Sequence, residues 1–135
     1  MASVVDSPIW VDCLRTGSSE GLRRQTKTIL IGHDRFLCEP VVFELLRAVP
    51  KRDRQRTEAL MATVPVLPTP GELWSTARAL GQKCVDKGFL APAIDLLIAQ
   101  VCLHHDVALI TFDAHFQQIA EVSPLKVELV RREES

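Results

Sequence analysis

The chain has 135 residues, the length of one compact domain, which is enough to bury a core without disulfide bonds or structural metal. Hydrophobic residues make up 47% and charged residues 24% of the sequence, a composition that excludes a largely disordered chain. The formal net charge of -1 excludes a global positive field, so a polyanionic partner would have to meet a local basic patch or a metal ion.

The first half of the chain predicts short strands that alternate with helices. β-branched runs indicate the strands, and apolar residues at helical spacing indicate the helices. We predict strands over residues 2–5, 35–38 and 64–67, the last at a sheet edge because prolines flank it, and helices over residues 7–14, 22–31, 40–49 and 51–63.

The second half continues the alternation. Thr69, Pro70 and Glu72 have the spacing of a capping box, which predicts a helix that begins there and ends near Asp86. Pro92 predicts the start of the next helix, which ends at His104 or His105. We then predict a strand over residues 108–112, a helix over 114–120, a strand over 127–130 and a frayed charged tail.

Strands and helices in this order predict a fold of the α/β class. The expected architecture is a three-layer α/β/α sandwich around a short-stranded parallel sheet, formed by residues 1–135 as a single domain. Functional sites of such sheets lie beyond the carboxyl ends of the strands, which directs attention to the residues that follow each strand.

The cysteines and the apolar segments indicate the compartment. The four cysteines form no CxxC pair and three lie in apolar surroundings, as expected for buried free thiols in a reducing compartment. Asp6 and Asp12 interrupt any secretory signal, and Asp95 and Gln100 break the longest apolar stretch. We therefore expect a cytoplasmic protein with no membrane partner.

Four carboxylates lie in or beside apolar segments. Asp6 and Asp113 each follow a predicted strand, so both should emerge at the same edge of the sheet. Asp95 and Glu44 lie inside apolar helical runs. An ionised carboxylate in such surroundings must be paired, protonated or bound to metal. Mg²⁺ or Mn²⁺ would suit an all-oxygen set of ligands.

Each acid also has a structural explanation that needs no chemistry. Asp6 and Asp113 are suited to cap the helices that follow them. Asp95 falls in the first turn of a helix, where the helix dipole favours an acid, and Glu44 has the i,i+3 spacing for an ion pair with Arg47.

Four segments carry a resemblance to a known family. Residues 4–12 (VVDSPIWVD) resemble its opening strand with Asp and Ser or Thr, and residues 41–47 (VVFELLR) resemble its helical glutamate segment. Residues 93–99 (AIDLLIA) and 109–116 (LITFDAHF) resemble the segments of the third and fourth acids. The sequence thus resembles the PIN-domain family over nearly its whole length, in particular the small VapC-type toxins of bacterial toxin-antitoxin systems.

The resemblance implies a metal-dependent endoribonuclease that hydrolyses RNA, with tRNA or rRNA as the expected substrate. Asp6 and Asp95 would be the principal ligands of one or two Mg²⁺ or Mn²⁺ ions, and Asp113 a direct or water-mediated ligand. Glu44 would act indirectly on the metal or as general base. The resemblance also implies neutralisation by a cognate VapB-type antitoxin, which would bind across the acidic cleft, and a homodimer formed by Leu and Val faces of the early helices.

Two positions depart from the family pattern. Pro8 stands where a small hydroxyl residue is frequent, and His115 stands where many members carry a further Asp, which leaves the number of metal ions open. His115, Ser7 and Arg15 are candidates for binding substrate.

Two basic runs and two tryptophans also have alternative explanations. The basic runs could follow an RNA backbone or be solvated helix faces, and Trp10 and Trp74 could stack bases, although we favour packing. The first run comprises Arg15, Arg23, Arg24 and Lys27, and the second comprises Lys51, Arg52, Arg54 and Arg56.

Competing functions share parts of this pattern. A haloacid-dehalogenase phosphatase would need an Asp at position 8, and a receiver domain would need an Asp where Pro68 ends the predicted strand. A non-catalytic PIN-like module that binds RNA or a partner remains the alternative from another class, and a DNA-directed nuclease would use the same acids.

Overall fold

The computed structural model describes residues 1–134. It contains a four-stranded, all-parallel sheet and seven α-helices, which confirms the predicted α/β architecture. In chain order the elements are β1 (Ser3–Val5), α1 (Ser7–Leu14), α2 (Glu20–Leu30), β2 (Arg35–Phe36), α3 (Glu39–Ala48), α4 (Arg54–Met61), α5 (Leu73–Asp86), α6 (Ala93–His105), β3 (Ala108–Thr111), α7 (Phe116–Glu121) and β4 (Val127–Leu129).

The sheet has the strand order β2-β1-β3-β4, so β1 and β3 are its two inner strands. Every residue of both strands is buried, as expected where a parallel sheet is covered on both faces. Val5 pairs with Ile110 in register. Asp6, which follows β1, and Thr111, the last residue of β3, therefore lie side by side at the carboxyl edge of the sheet.

The strands and helices share a hydrophobic core in which Trp10 and Phe116 are the largest fully buried side chains. Cys38, Cys84 and Cys102 are buried free thiols, as predicted. Burial raises the pKa of the Cys38 thiol to about 12, which leaves it unreactive. None of the helices formed by residues 1–134 combines the length and apolarity that crossing a bilayer requires.

Three boundaries in the first half differ from the prediction. Helix α2 begins at Glu20 because the Ser19 hydroxyl accepts the N–H of Leu22 at 3.1 Å and caps the helix earlier than expected. The predicted helix over residues 51–63 is a single 3₁₀ turn followed by α4. The predicted edge strand over residues 64–67 is reduced to one bridge between Leu37 and Val66, since the flanking prolines donate no ladder hydrogen bonds.

The predicted capping box at Thr69 is wrong. Helix α5 begins at Leu73, and its N-cap residue is Glu72, whose side chain makes no capping hydrogen bond. The N–H of Leu73 instead bonds the carbonyl of Pro70 at 3.2 Å in a turn. Residues 71 and 72 form this turn, so the helix begins one turn later than predicted.

The segment 131–134 is bound to the first two helices. Arg132 forms two hydrogen bonds with Asp12, Gln25 bonds the backbone on both sides of Arg132, and the Ser19 hydroxyl bonds the carbonyl of Glu134 at 2.6 Å. With these hydrogen bonds in place, the predicted fraying is not seen over residues 131–134. The sequence pattern did not indicate the bonds, because the partners lie more than 100 positions earlier in the chain. Ser135 lies outside the described residues.

Candidate active site

Asp6 occupies the junction between β1 and α1, where its residue is only 3% exposed. Its Oδ1 accepts the N–H of Ser7 at 2.9 Å, and its Oδ2 accepts the hydroxyl of Thr111 at 2.7 Å. Asp6 is thus the N-cap of α1, as the structural explanation predicts. The cap uses one oxygen only, and the second oxygen is bound by a residue 105 positions away in the sequence.

Thr111 is a site residue that the sequence reasoning missed. It is fully buried at the end of β3, and the parallel register places it beside Asp6. Its hydroxyl donates to Asp6 and accepts the N–H of Asp113 at 3.0 Å, so one side chain connects the two acids. The available signal was a hydroxyl residue at the end of an apolar strand, two positions before an acid.

Replacing Thr111 by Val is expected to lower the free energy of unfolding by about 1–3 kcal/mol, because it removes a donor to a buried carboxylate. Burial raises the pKa of Asp6 to about 6, and the Thr111 hydrogen bond opposes this rise. The loss should therefore be larger at about pH 8, where Asp6 is ionised, than at about pH 5. Urea unfolding at the two pH values measures the difference.

Thr26→Val is the matched control. The Thr26 hydroxyl is equally buried, but it donates to the backbone carbonyls of Leu22 and Arg23. Its loss should not depend on pH. A Thr111→Val loss that is equal at both pH values would contradict the proposed contact with an ionised Asp6.

Glu44 lies half-buried in α3 and contacts the first turn of α1. Its Oε1 accepts the hydroxyl of Ser7 at 2.5 Å. The ion pairs within residues 1–134 do not include one between Glu44 and Arg47, so that explanation of Glu44 is wrong. Ser7 is itself buried beside Asp6, which brings two predicted site residues into direct contact.

Asp113 follows β3 and contacts His115. Its Oδ1 accepts the backbone N–H of His115 at 2.9 Å and lies 2.9 Å from the Nδ1 atom of the same histidine. The carboxylate therefore closes a local turn, whereas α7 begins only at Phe116 and its N-cap is His115. The exposed His115 ring stacks on Phe89, with ring centroids 6.2 Å apart.

Asp95 lies in the first turn of α6, half-buried among the other acids. Burial is the main cause that raises its pKa to about 7, and the charges of Asp6, Asp113 and Glu44 raise it further. Burial also raises the pKa of Asp6, and the charges of Glu44 and Asp113 raise it further. The structure thus brings all four predicted acids within electrostatic range of one another.

The chemistry of this cluster suits a hard divalent cation. Within residues 1–134 no three His, Cys, Asp or Glu side chains are close enough to hold a metal ion as they stand. Mg²⁺, however, keeps several waters and takes only one or two protein carboxylates. Asp6 has one lone pair free on each oxygen after its two hydrogen bonds, and burial together with the negative charges of Asp6, Asp113 and Glu44 raises the pKa of Asp95.

A second group, in which only Arg15 was predicted from the sequence as a site residue, lies beside the four acids. Asp12 is 5% exposed on α1, and its carboxylate binds Arg132 and Arg15. An open groove of about 370 Å³ connects this group with Ser7 and Glu44. Asp12 and Arg132 are 120 positions apart, so only the sign of their charges could have suggested the pair.

Several residues of the basic runs contact the protein itself. Arg23 bonds the carbonyls of Thr16 and Ser18, and Arg56 bonds the carbonyl of Leu14 at 2.8 Å. These contacts support loops, and the roles of the two basic runs in binding RNA stay predictions.

The two tryptophans lie in different environments. Trp10 packs in the core, as favoured from the sequence, whereas Trp74 is 77% exposed.

A family model for the PIN domain matches residues 3–122. The chain belongs to the PIN domain family. Comparison of the sequence with curated proteins gives no match. The match to the PIN domain includes all four acids, and their individual roles stay predictions.

Solved structures share the fold of this PIN domain. VapBC2 from Rickettsia felis, bound to a DNA fragment from its promoter, matches with a TM-score of 0.74 at 16% identity, over 96% of this chain and 98% of that one. VapBC-1 from nontypeable Haemophilus influenzae matches with a TM-score of 0.70 at 20% identity, and VapBC-5 from Mycobacterium tuberculosis with 0.67 at 19%, each over 96% of this chain and 98% of the other. At these identities the likeness establishes the fold.

Proposed function

We propose that this PIN domain is a Mg²⁺- or Mn²⁺-dependent endoribonuclease that acts as the toxin of a type II toxin-antitoxin system. The observation that carries the proposal is the cluster of Asp6, Glu44, Asp95 and Asp113 at the carboxyl edge of the sheet, where burial and mutual repulsion raise the pKa of Asp6 and Asp95. Such a cluster favours a cation, and a cation there favours a phosphodiester.

Asp6 and Asp95 would be the principal ligands of the ion, and Asp113 would bind it directly or through water. When bound, Mg²⁺ or Mn²⁺ supplies positive charge that polarises the scissile phosphate and makes a water molecule more acidic. The hydrogen bonds from Ser7 and Thr111 fix the carboxylate plane of Asp6, so this ligand needs little reorganisation.

The other side chains would handle the proton and the substrate. Glu44, half-buried and bound to the Ser7 hydroxyl, is the candidate general base that orients the attacking water and accepts its proton. Ser7 would donate its hydroxyl to a substrate phosphate by exchanging its hydrogen bond with Glu44. His115, exposed at the rim and next to Asp113, would contact a second phosphate through its ring N–H.

A metal titration of RNA cleavage tests the proposal. The purified protein should cut labelled single-stranded RNA and fragments of tRNA or rRNA with Mg²⁺ or Mn²⁺ and should stop when EDTA is added. Asp6→Asn should abolish cleavage while keeping the cap of α1, since Asn also caps helices. Glu121→Gln, at the exposed end of α7, should cleave like the wild type.

The opposite results are equally specific. RNA that is bound and never cut at any metal concentration would identify a non-catalytic PIN-like module. Cleavage of single-stranded DNA in preference to RNA would assign a DNA-directed nuclease. Full cleavage by Asp6→Asn would remove Asp6 from the site.

The proposal includes partners. VapBC-5 from Mycobacterium tuberculosis is described as a member of the VapBC family of toxin-antitoxin systems, and its likeness to this chain supports a VapB-type antitoxin as a partner. Such an antitoxin would insert an Arg or Lys among the four acids and compete with the metal. Val11 and Phe43 are apolar and exposed on the early helices, which supports a homodimer or antitoxin contact there, and we place the activity in the cytoplasm.

A further inference from the structure

Asp12 is a buried acid that the proposed chemistry does not use. Its carboxylate accepts Nε and Nη2 of Arg132 at 2.8 and 3.2 Å, and it lies 3.3 Å from Nη2 of Arg15. A buried carboxylate needs such partners, because an unpaired one strongly destabilises the folded protein. The pairing with Arg132 is bidentate, which fixes the plane of the guanidinium group.

The backbone around Arg132 is fixed as well. The Gln25 amide donates to the carbonyl of Arg131 at 2.8 Å and accepts the N–H of Glu133 at 3.0 Å. One side chain of α2 therefore binds the residue before Arg132 and the residue after it. Both ends of the Arg132 side chain, its Cα and its guanidinium, are thus held in place.

The fixed guanidinium faces the groove that leads to the acids. The groove is open, and Ser7, Glu44, Arg47 and Arg132 line it. The Arg132 side chain remains 39% exposed although it binds Asp12. Arginine carries five N–H donors, and Asp12 accepts hydrogen bonds from only two nitrogens of Arg132. The remaining N–H donors can bind a phosphate.

We infer that the groove between α1 and α3 receives the RNA backbone next to the cleavage point, with Arg132 and Arg47 as phosphate-binding residues and Asp12 as the residue that positions Arg132. This inference rests on the proposed nuclease function. Phosphate contacts of this kind set the register of a strand without reading its bases. The Ser7 hydroxyl and Glu44 at one end of the groove connect it to the reacting phosphate.

The test is the salt dependence of RNA binding, measured with a fluorescein-labelled single-stranded RNA of mixed sequence in the Asp6→Asn background with Mg²⁺. Each phosphate contact that is lost should reduce the slope of log Kd against log salt by about 0.7–1. Arg132→Gln and Arg47→Gln should each show this reduction. Arg78→Gln, an exposed arginine on α5, should leave the slope unchanged.

Cleavage kinetics separate binding from folding. In the Asp6-containing protein, Arg132→Gln should raise KM about tenfold with kcat within about twofold, because the contact is the same in ground and transition states. Arg132→Lys should restore part of KM. Asp12→Asn should raise KM in the same way, and the double variant should add little to either single change. A purely structural role would instead lower the melting temperature and leave the salt slope intact.

The outcomes distinguish the assignment of the groove from the proposed nuclease function. Metal-dependent cleavage together with an unchanged salt slope in both Arg132→Gln and Arg47→Gln overturns the groove assignment and leaves the nuclease standing. Absence of both cleavage and RNA binding in the wild type overturns the proposed function and the groove with it. Arg47 makes no ion pair within residues 1–134, so its variant tests the groove even where Arg132→Gln fails to fold.

Discussion

Replacing Asp95 by Asn is expected to reduce RNA cleavage by about a thousandfold, equivalent to about 4 kcal/mol of transition-state stabilisation, while raising the stability of the metal-free protein near neutral pH. The first effect follows from the loss of one of the two proposed principal metal ligands. The second follows from the raised pKa of Asp95, about 7, because a neutral amide removes the cost of burying a charge there and the repulsion with Asp6, Asp113 and Glu44. Opposite signs for activity and stability mark an acid kept for function.

The raised pKa of Asp95 also determines how the stability of the metal-free protein changes with pH. Folded Asp95 keeps its proton up to a pKa of about 7, whereas the unfolded chain releases it near the ordinary pKa of 3.8. Between these values the folded state binds more protons, so the stability of the metal-free protein falls as pH rises through this window and then levels off. Asp95→Asn should reduce this slope and add about 2 kcal/mol at about pH 7.5, after allowance for solvent screening.

Thermal unfolding in EDTA from about pH 4 to pH 8 measures the effect, and the melting temperature of the variant should exceed that of the wild type by about 5 °C at the upper end. Asp86→Asn is the control, because Asp86 is exposed at the end of α5. Added Mg²⁺ should raise the melting temperature of the wild type and have less effect on Asp95→Asn. A variant that is less stable than the wild type at every pH would show that Asp95 is a structural residue.

Replacing Trp10 by Ala is expected to lower the free energy of unfolding by about 3–5 kcal/mol, the largest stability loss of the substitutions considered. Trp10 is 1% exposed, and it lies on α1 three positions after Ser7. The cavity left by the missing ring would loosen α1, the helix that carries Ser7 and has Asp6 as its N-cap residue. Cleavage should therefore fall together with stability in this variant.

Trp10→Phe separates the ring from its N–H group. Within residues 1–134 the Nε1 atom of Trp10 has no hydrogen-bond partner, and a buried unpaired donor costs about 1–3 kcal/mol. Phe removes this donor and keeps most of the volume, so we expect a loss below about 1.5 kcal/mol. Trp74→Phe, at a 77% exposed position, should change stability by less than about 0.5 kcal/mol. Urea unfolding followed by circular dichroism compares the three variants.

Local patterns were sufficient for the four strands of the sheet and for most helices. Helix α6 shows this, since Pro92 precedes a long apolar run that ends at the two histidines, and both ends were predicted within one residue. The two inner strands were equally clear, and because parallel strands end at one edge, the proximity of Asp6 and Asp113 followed from the pattern alone.

Partners that are distant in sequence were not predictable. The bond from Thr111 to Asp6 depends on the register of two strands, and the bond from Arg132 to Asp12 depends on where the last segment crosses α1. The spacing of apolar residues along the chain indicates neither the register of the strands nor the path of the last segment. The capping box at Thr69 failed although its motif is local, since the chain forms a turn over residues 71 and 72 and begins the helix only at Leu73.

The bond between Thr111 and Asp6 spans 105 positions of the chain, and it joins the two inner strands at their carboxyl ends. A partly folded or partly synthesised chain therefore contains no fragment of the site that could act alone. Acids from residue 6 and residue 113 meet only after β3 has inserted beside β1. Under the proposed function, RNA cleavage would therefore require completed folding, and in a refolding experiment it should return only after β3 has paired with β1.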